Sequence, residues 1–301
     1  MRILVTGSSG LIGSALVPFL TASGHRVIRL VRSQSPTPTL GESWGWDPER
    51  GTILSTGRDE PDAVVHLAGA NIAGARWTPG QKALIRDSRV KGTRVLCDVI
   101  GHRSPLPKVL VCASAIGYYG DRGDEILRED SASGSGFLPD VCREWEAASQ
   151  PAAAKGIRVV NVRIGIVLSP AGGALAKMLT PFKLGAGGVI GSGRQYMSWI
   201  ALDDVAGVIH LALTRDSLRG PVNAVAPNPV TNRGFTRTLG RVLSRPTLFP
   251  MPAFVARLAL GEMADALLLA SARVVPARLL ESGFVFRYPD LEGALRHMLR
   301  D

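Results

Sequence analysis

The first twenty residues constrain this chain more than any other stretch. Met1-Arg-Ile-Leu-Val-Thr6 is an apolar strand run, Gly7, Gly10 and Gly13 follow it, and Ser14-Ala-Leu-Val-Pro-Phe-Leu20 carries a helical pattern. A strand that turns through glycines into a helix leaves the first helical N–H groups without carbonyl partners, ready for an anion. Gly7 permits the tight turn, Gly10 lets the backbone approach a pyrophosphate, and Gly13 lets the helix pack closely on the strand. The spacing is G-x-x-G-x-x-G rather than the commoner G-x-G-x-x-G, but strand before and helix after supply the same context. The turn, with Ser9, Leu11 and Ile12 between and beside its glycines, is the expected seat of a dinucleotide.

The end of the second strand run, Arg26-Val-Ile-Arg-Leu-Val-Arg32-Ser33, selects which dinucleotide. An NAD site places Asp or Glu there to bond the ribose 2′-hydroxyl. Arg32 stands there instead, and a guanidinium matches a phosphate in charge and fork geometry, so Arg32 with Ser33 points to NADP (NADPH). The alternative reading of Arg32 is a solvated arginine after a strand.

With 301 residues, 46% hydrophobic and 20% charged, the chain is expected to bury a substantial core and is not disordered. No apolar run reaches transmembrane length, and the first apolar segment is a short strand, not a signal peptide; a cytoplasmic protein without a membrane partner is expected. Cys97, Cys112 and Cys142 are an odd set without C-x-x-C spacing. They suggest neither a disulfide framework nor a zinc site. The five histidines form no metal-ligand set, and no Ser-His-Asp order stands out, so metal and hydrolytic chemistry are not expected; His66 reads as a satisfied core residue. The formal charge of +10 is scattered, without a basic run, which disfavours nucleic acid and suits either an anionic small molecule or an Arg-rich composition at large.

Asp62 to Ala70 reads as a buried parallel strand with a small-residue exit, Leu67-Ala68-Gly69, that lets a cofactor approach. Pro79 to Ile100 reads as a long helix, Lys108 to Ser114 as a strand containing Ala113, Gly156 to Ile164 as another, and Leu138 to Lys155 as the helix between them. Trp44 to Pro48 reads as loop and turn, after a Ser/Pro/Thr-rich stretch from Ser33 to Leu40. Alternating strands and helices imply an α/β doubly wound parallel sheet of the Rossmann type. From Gly172 the pattern changes to a short helix, the glycine-rich Gly185 to Gly193, and a mainly helical remainder after a strand at Pro221 to Ala226. Residues 1–170 and 203–226 are therefore expected to form the cofactor domain, and 171–202 and 227–301 a smaller helical cap over the carboxyl edge of the sheet. A monomer or a homodimer is compatible with this organisation.

TGSSGLIG at 6–13, HLAGA at 66–70, RVKGT at 89–93, Ser114 ending a strand, Tyr119-Gly120 after it and SWIALDDV at 198–205 together resemble an extended-type short-chain dehydrogenase/reductase. SAIGYYGDRGD at 114–124, FLPDVCREWE at 137–146, RIGIVLS at 163–169 and the block at 260–295 resemble its atypical subgroup of epimerase family proteins, which carries a C-terminal helical domain of unknown function and binds NADP(H). The wider family works with a Tyr-x-x-x-Lys pair that exchanges a proton with a substrate hydroxyl while hydride moves to the nicotinamide. The resemblance puts Leu138 at the tyrosine, Cys142 at the lysine and Arg89 at a usual asparagine.

Replacement chemistry has several candidates. Ser114 is either a ligand contact or a strand-end cap, Tyr118 either a displaced acid or a packing ring, and Cys142 either an acid or nucleophile with a lowered pKa or an inert buried thiol. Arg89 either holds a phosphate or carboxylate near the nicotinamide or forms an internal ion pair. Arg163, Arg194, Ser198 and Trp199 fall where the family grips nucleotide-sugar phosphates, which implies a small anionic substrate. Two functions follow from the resemblance: an NADP-dependent oxidoreductase or epimerase with a non-standard site, or a regulatory or redox-sensing NADP(H)-binding protein without turnover, some relatives being labelled cell-division inhibitors.

Overall fold

Four strands buried on both faces, β1 (Arg2–Thr6), β5 (Ala63–His66), β6 (Val109–Ala115) and β7 (Arg158–Ile164), form the centre of the structure, a computed structural model that describes residues 1–32, 42–47, 50, 52–54 and 60–299. Their unbroken apolar runs are what a parallel strand covered by helices on both sides requires. β2 (Arg26–Arg32), β3 (Ser43–Asp47), β4 (Thr52–Leu54) and β8 (Gly220–Ala224) complete a sheet in the order β8-β7-β6-β5-β1-β2-β3-β4. Neighbours run parallel except β4, which is antiparallel to β3. Chain order reverses between β1 and β5, and ligands of such sheets bind in the crevice beyond the carboxyl ends at that point.

The expected elements are present with local corrections. β3 occupies the segment read as loop and turn: Trp44 and Trp46 alternate inward into the core, a period-2 pattern that the flanking Pro48 and glycines obscured. The helix expected over 138–155 is two, α3 (Phe137–Ala148) and α4 (Gln150–Ala154), because Pro151 cannot donate to the carbonyl four residues back. α1 (Leu11–Ala22) and α6 (Leu202–Thr214) cover one region of the sheet, while α2 (Pro79–Ile100), N-capped by the Thr78 side chain, packs beside α3. Ser33 and the stretch to Leu40, together with Pro48, lie outside the described residues.

The remaining elements build a second core around Leu175, Trp199, Phe235 and Leu295. They include α5 (Gly173–Lys183), α7 (Asn232–Val242) and the terminal helix Leu291–Met298, while α8 (Ala253–Leu260) lies outside that core. The Asp204 carboxylate on α6 accepts the N–H groups of Arg287 and Tyr288 at 2.8 and 3.1 Å, tying this region back to the sheet's helices. α5 begins against the glycine turn: a Cβ on Gly173 would lie 3.2 Å from Leu11 Cδ2. Among the described residues no helix is long and apolar enough to cross a membrane.

Candidate functional site

The glycine turn is closed by steric contact and open in hydrogen bonding. Gly7 has φ +67°, and a Cβ there would stand 2.8 Å from Leu67 C and 2.9 Å from Ala68 N; a Cβ on Gly13 would stand 2.2 Å from Gly7 O. Side chains are thus excluded at both positions. Gly10 N–H bonds Gly7 O at 3.1 Å, and Ser14 N–H bonds Gly10 O at 2.8 Å. Between them the N–H groups of Leu11, Ile12 and Gly13 have no partner among the described residues, Gly10 supplies no side-chain cap, and no acidic residue occupies the first turn of α1. Positive helix-end charge with unpaired donors is a seat for a phosphate group. Ser9 is exposed beside it.

Thr6 holds the neighbouring strand exit in place. Its Oγ1 accepts the N–H groups of Leu67 and Ala68 at 3.1 and 3.2 Å, so its own proton goes to His66 Nδ1 at 2.7 Å. His66 is therefore a neutral ring with its proton on Nε2, buried beside Trp46, and burial lowers its pKa to about 4. The expected satisfied core histidine is satisfied on one side: Nε2 has no partner among the described residues. Gly69 follows at the surface, and the Arg89 guanidinium from α2 packs against it, its Cζ 3.2 Å from where a Cβ would be. Arg89 lies 5.1 Å from the Trp145 ring centroid and donates Nη1 to Ile85 O at 3.0 Å. No carboxylate is within ion-pair distance of it among the described residues, which removes the internal ion pair expected as one alternative. Burial pulls its pKa below the usual guanidinium value. Arg32 ends β2 exposed.

Beyond β6 the polar groups are bound to one another. Ser114 and Arg163 are cross-strand neighbours on β6 and β7, and Glu146 from α3 joins them. Ser114 Oγ donates to Glu146 Oε1 at 2.7 Å, while Arg163 donates Nε to the same oxygen at 2.8 Å and Nη2 to Oε2 at 2.9 Å. Arg163 Nη1 reaches Tyr119 Oη at 2.9 Å and Glu129 O at 3.1 Å, and Tyr119 Oη donates to Asn223 Oδ1 at 2.7 Å. Burial opposes the charge on Arg163, but the hydrogen bonds and charge of Glu146 together with those of Tyr119 outweigh it and raise its pKa above the ordinary value. Burial pushes the Tyr119 phenol up to about 12. The Tyr118 ring lies on the Arg163 guanidinium with Cζ 3.5 Å from its centroid, and the Tyr118 hydroxyl has no hydrogen bond among the described residues.

This arrangement corrects several expectations. Cys142 is buried, and burial followed by the Glu146 charge pushes its thiol up to about 12, so it is neither thiolate nor ready acid near neutrality. Arg163 spends its donors on Glu146, Tyr119 and Glu129 and is no open anion grip. Ser198 Oγ donates to Ala272 O at 2.7 Å and accepts from Val274 N at 2.9 Å, and buried Trp199 donates Nε1 to Asn228 O at 3.2 Å. Both brace the C-terminal region. Arg194 is exposed, and Ala113 is buried in β6. Glu146 was absent from the expected site, although its place one turn after Cys142 on α3 was a signal; Thr6, which ends β1 before Gly7, was missed as well.

The chain matches the NAD dependent epimerase/dehydratase family over residues 3–224 and a domain of unknown function, DUF1731, over 251–298. It is 43% identical over 293 residues to an epimerase family protein of Mycobacterium tuberculosis, covering 97% of this chain and 96% of that one. It is 38% identical over 302 residues to the epimerase family protein YfhF of Bacillus subtilis, covering 100% and 99%. The crystal structure of human epimerase family protein SDR39U1 with NADPH superposes with TM-score 0.90 at 36% identity over 99% of both chains. With the uncapped glycine turn at the sheet's reversal point and a match spanning the whole sheet, the chain belongs to the NAD-dependent epimerase/dehydratase family.

Proposed function

We propose that the protein binds NADPH and acts as an oxidoreductase or epimerase on a small, hydroxyl-bearing anionic or nucleotide-sugar-like molecule. The observation that carries this reading is the Ser114–Glu146 hydrogen bond at the carboxyl end of β6. The open N–H groups of Leu11, Ile12 and Gly13 suit the pyrophosphate, Arg32 the 2′-phosphate, and Arg89 beside Gly69 an anionic or polyhydroxyl group nearby. The NADPH in the human relative's structure supports the same assignment. When bound, the cofactor supplies or removes hydride.

The chain's own residues handle the proton. Ser114 donates its proton to a carboxylate, so its lone pairs are the groups left to accept a substrate hydroxyl. A proton leaving that hydroxyl arrives at Ser114 Oγ as the serine proton passes to Glu146 Oε1. Arg163 holds the Glu146 carboxylate through two hydrogen bonds and so fixes the oxygen that receives the serine proton. Tyr118, whose hydroxyl has no hydrogen bond among the described residues, is a second candidate acid. A regulatory protein without turnover is the other reading, and one observation favours it: Leu138 and Cys142 supply neither phenolate nor ammonium.

Purified protein with NADPH, followed at the nicotinamide absorbance across carbonyl and nucleotide-sugar substrates, separates the two. Oxidation that is lost in Ser114→Ala and Glu146→Gln, with NADPH affinity retained, is the expected result. Turnover that survives both substitutions would remove the proton path. Tight binding without turnover across the panel would favour the regulatory reading.

A further inference from the structure

The exit of β5 touches the glycine turn from one side, and the start of α5 touches it from the other. Backbone atoms of Leu67 and Ala68 would lie 2.8 and 2.9 Å from a Cβ on Gly7, and both residues donate their N–H groups to Thr6 Oγ1. On the far side Gly172 and Gly173 lie on Leu11, the first residue of α1, where Cβ atoms would fall 3.3 and 3.2 Å from its two Cδ atoms. Residues 71–78 carry the chain from the β5 exit toward α2. Lys177, one turn into α5, donates Nζ to Ala73 O at 3.0 Å. The contacts therefore form a ring that begins and ends at the phosphate seat, running from Gly7 through Ala68, Ala73, Lys177 and Gly173 to Leu11.

The joints of this ring are unequal. Segment 71–78 is braced within itself, since Asn71 Oδ1 accepts Ala73 N–H at 2.9 Å and Trp77 Nε1 donates to Ile72 O at 2.7 Å. Its outer end is held by several contacts: Trp77 meets the Phe137 ring edge-on at 5.0 Å, Arg76 donates Nη2 to Leu258 O at 3.4 Å, and Lys82, near the start of α2, pairs with Glu262. Toward α5 the segment has a single hydrogen bond among the described residues, the one from Lys177, which is exposed. A lone hydrogen bond from a lysine in water is the joint that yields first.

We propose, on the NADPH reading of the turn, that 71–78 is a clasp over the dinucleotide, fastened by Lys177, and that the cofactor enters and leaves through its open form. A dinucleotide carries a bulky nucleoside at each end of its pyrophosphate, so it does not thread a closed ring. One joint has to part, and those at Gly7 and Leu11 are steric contacts of the fold itself. Lys177 fastens the ring in the free protein as well as around the cofactor, so weakening that bond speeds entry and exit alike and leaves affinity nearly unchanged. The opposite sign follows if Lys177 is instead a cation for the cofactor's phosphates, because losing it would slow association with an anion and weaken binding.

Stopped-flow mixing of the full chain with NADPH gives the association rate, and displacement of bound NADPH by excess NADP+ gives the dissociation rate. Lys177→Met keeps the apolar stem and removes the donor. Both rates are expected to rise roughly 3- to 10-fold, the effect of one hydrogen bond, with the dissociation constant within about twofold of the parent value. Lys91→Met removes the same charge from an exposed position on α2 outside the ring and should not speed either rate. Rates that Lys177→Met leaves unchanged, or association that slows while affinity falls, overturn the clasp. A rise of the same size in Lys91→Met overturns it as well, as an effect of charge alone. A parent that binds no NADPH removes the cofactor reading and the clasp with it.

Discussion

The glycine turn and the polar cluster at the end of β6 sit at the same edge of one sheet and are built on opposite rules. At the turn, sterics are tight and hydrogen bonding is left open: Gly7 and Gly13 have no room for a methyl, while three N–H groups of α1 have no partner among the described residues. In the cluster, Arg163, Glu146 and Tyr119 are buried or nearly so and bonded to one another. Open donors in a rigid frame describe a place that waits for a ligand. A closed network describes a place whose charges serve the fold first, with Ser114 and Tyr118 as the groups that keep unused polar capacity.

The strongest test of this contrast is Arg163→Ala. It removes the buried partner and leaves the largely covered Glu146 carboxylate without its ion pair, so urea unfolding is expected to show a loss of roughly 3 kcal/mol. A loss below about 1 kcal/mol, the range of a surface ion pair, would mean that the cluster is not closed. Next in size is an acid dependence set by His66. The folded ring has a pKa of about 4 against about 6.5 unfolded, so the unfolded chain takes up the proton first as pH falls. Stability therefore rises with pH between about 4 and 6.5, by about 3 kcal/mol in all. His66→Gln should flatten that part of the pH–stability profile, and an unchanged slope would refute the assignment.

Smaller effects probe the open side of the comparison. Gly13→Ala drives a methyl onto Gly7 O and should weaken NADPH binding by roughly 10- to 100-fold in a fluorescence titration. Unaltered affinity would show that the turn is not the phosphate seat. Arg32→Asp removes the cation facing a 2′-phosphate and should shift the ratio of NADPH to NADH affinity by roughly tenfold or more toward NADH. Equal affinities in the parent would sink that role. The smallest effect belongs to Cys142→Ala, which should leave turnover within about twofold, in keeping with an inert thiol. Rapid labelling of Cys142 by a thiol reagent in the native protein at neutral pH would contradict its burial.

Much of the scaffold was legible in the residue order because its signals are local. The turn is a run of glycines between a strand and a helix, and α2 announces itself with Thr78 and Pro79 and ends at Ile100 as the pattern required. β3 reads as a turn for an equally local reason, since Trp44 and Trp46 alternate over only five residues amid turn-forming neighbours. The site was less legible. Arg163, Ser198 and Trp199 occupy positions where the family resemblance implied substrate contacts, yet each side chain is bonded inside the protein. A residue's type and strand position say what it can donate, not which distant acceptor takes it.

Residue order alone therefore determined the dinucleotide turn, the parallel α/β sheet, and the absence of the tyrosine and lysine that the family uses, because each depends on residue identity or on spacing over a few positions. Tertiary structure alone decided that Ser114 gives its proton to Glu146, that Arg163 is consumed by it, that Cys142 is buried, and that Phe254 and Leu258 face water. Those outcomes join residues 17 to 32 positions apart or depend on what the rest of the chain covers. Burial and pairing of that kind come from the packing of whole elements, where the cost of an unpaired buried charge selects one arrangement among the many that residue types permit.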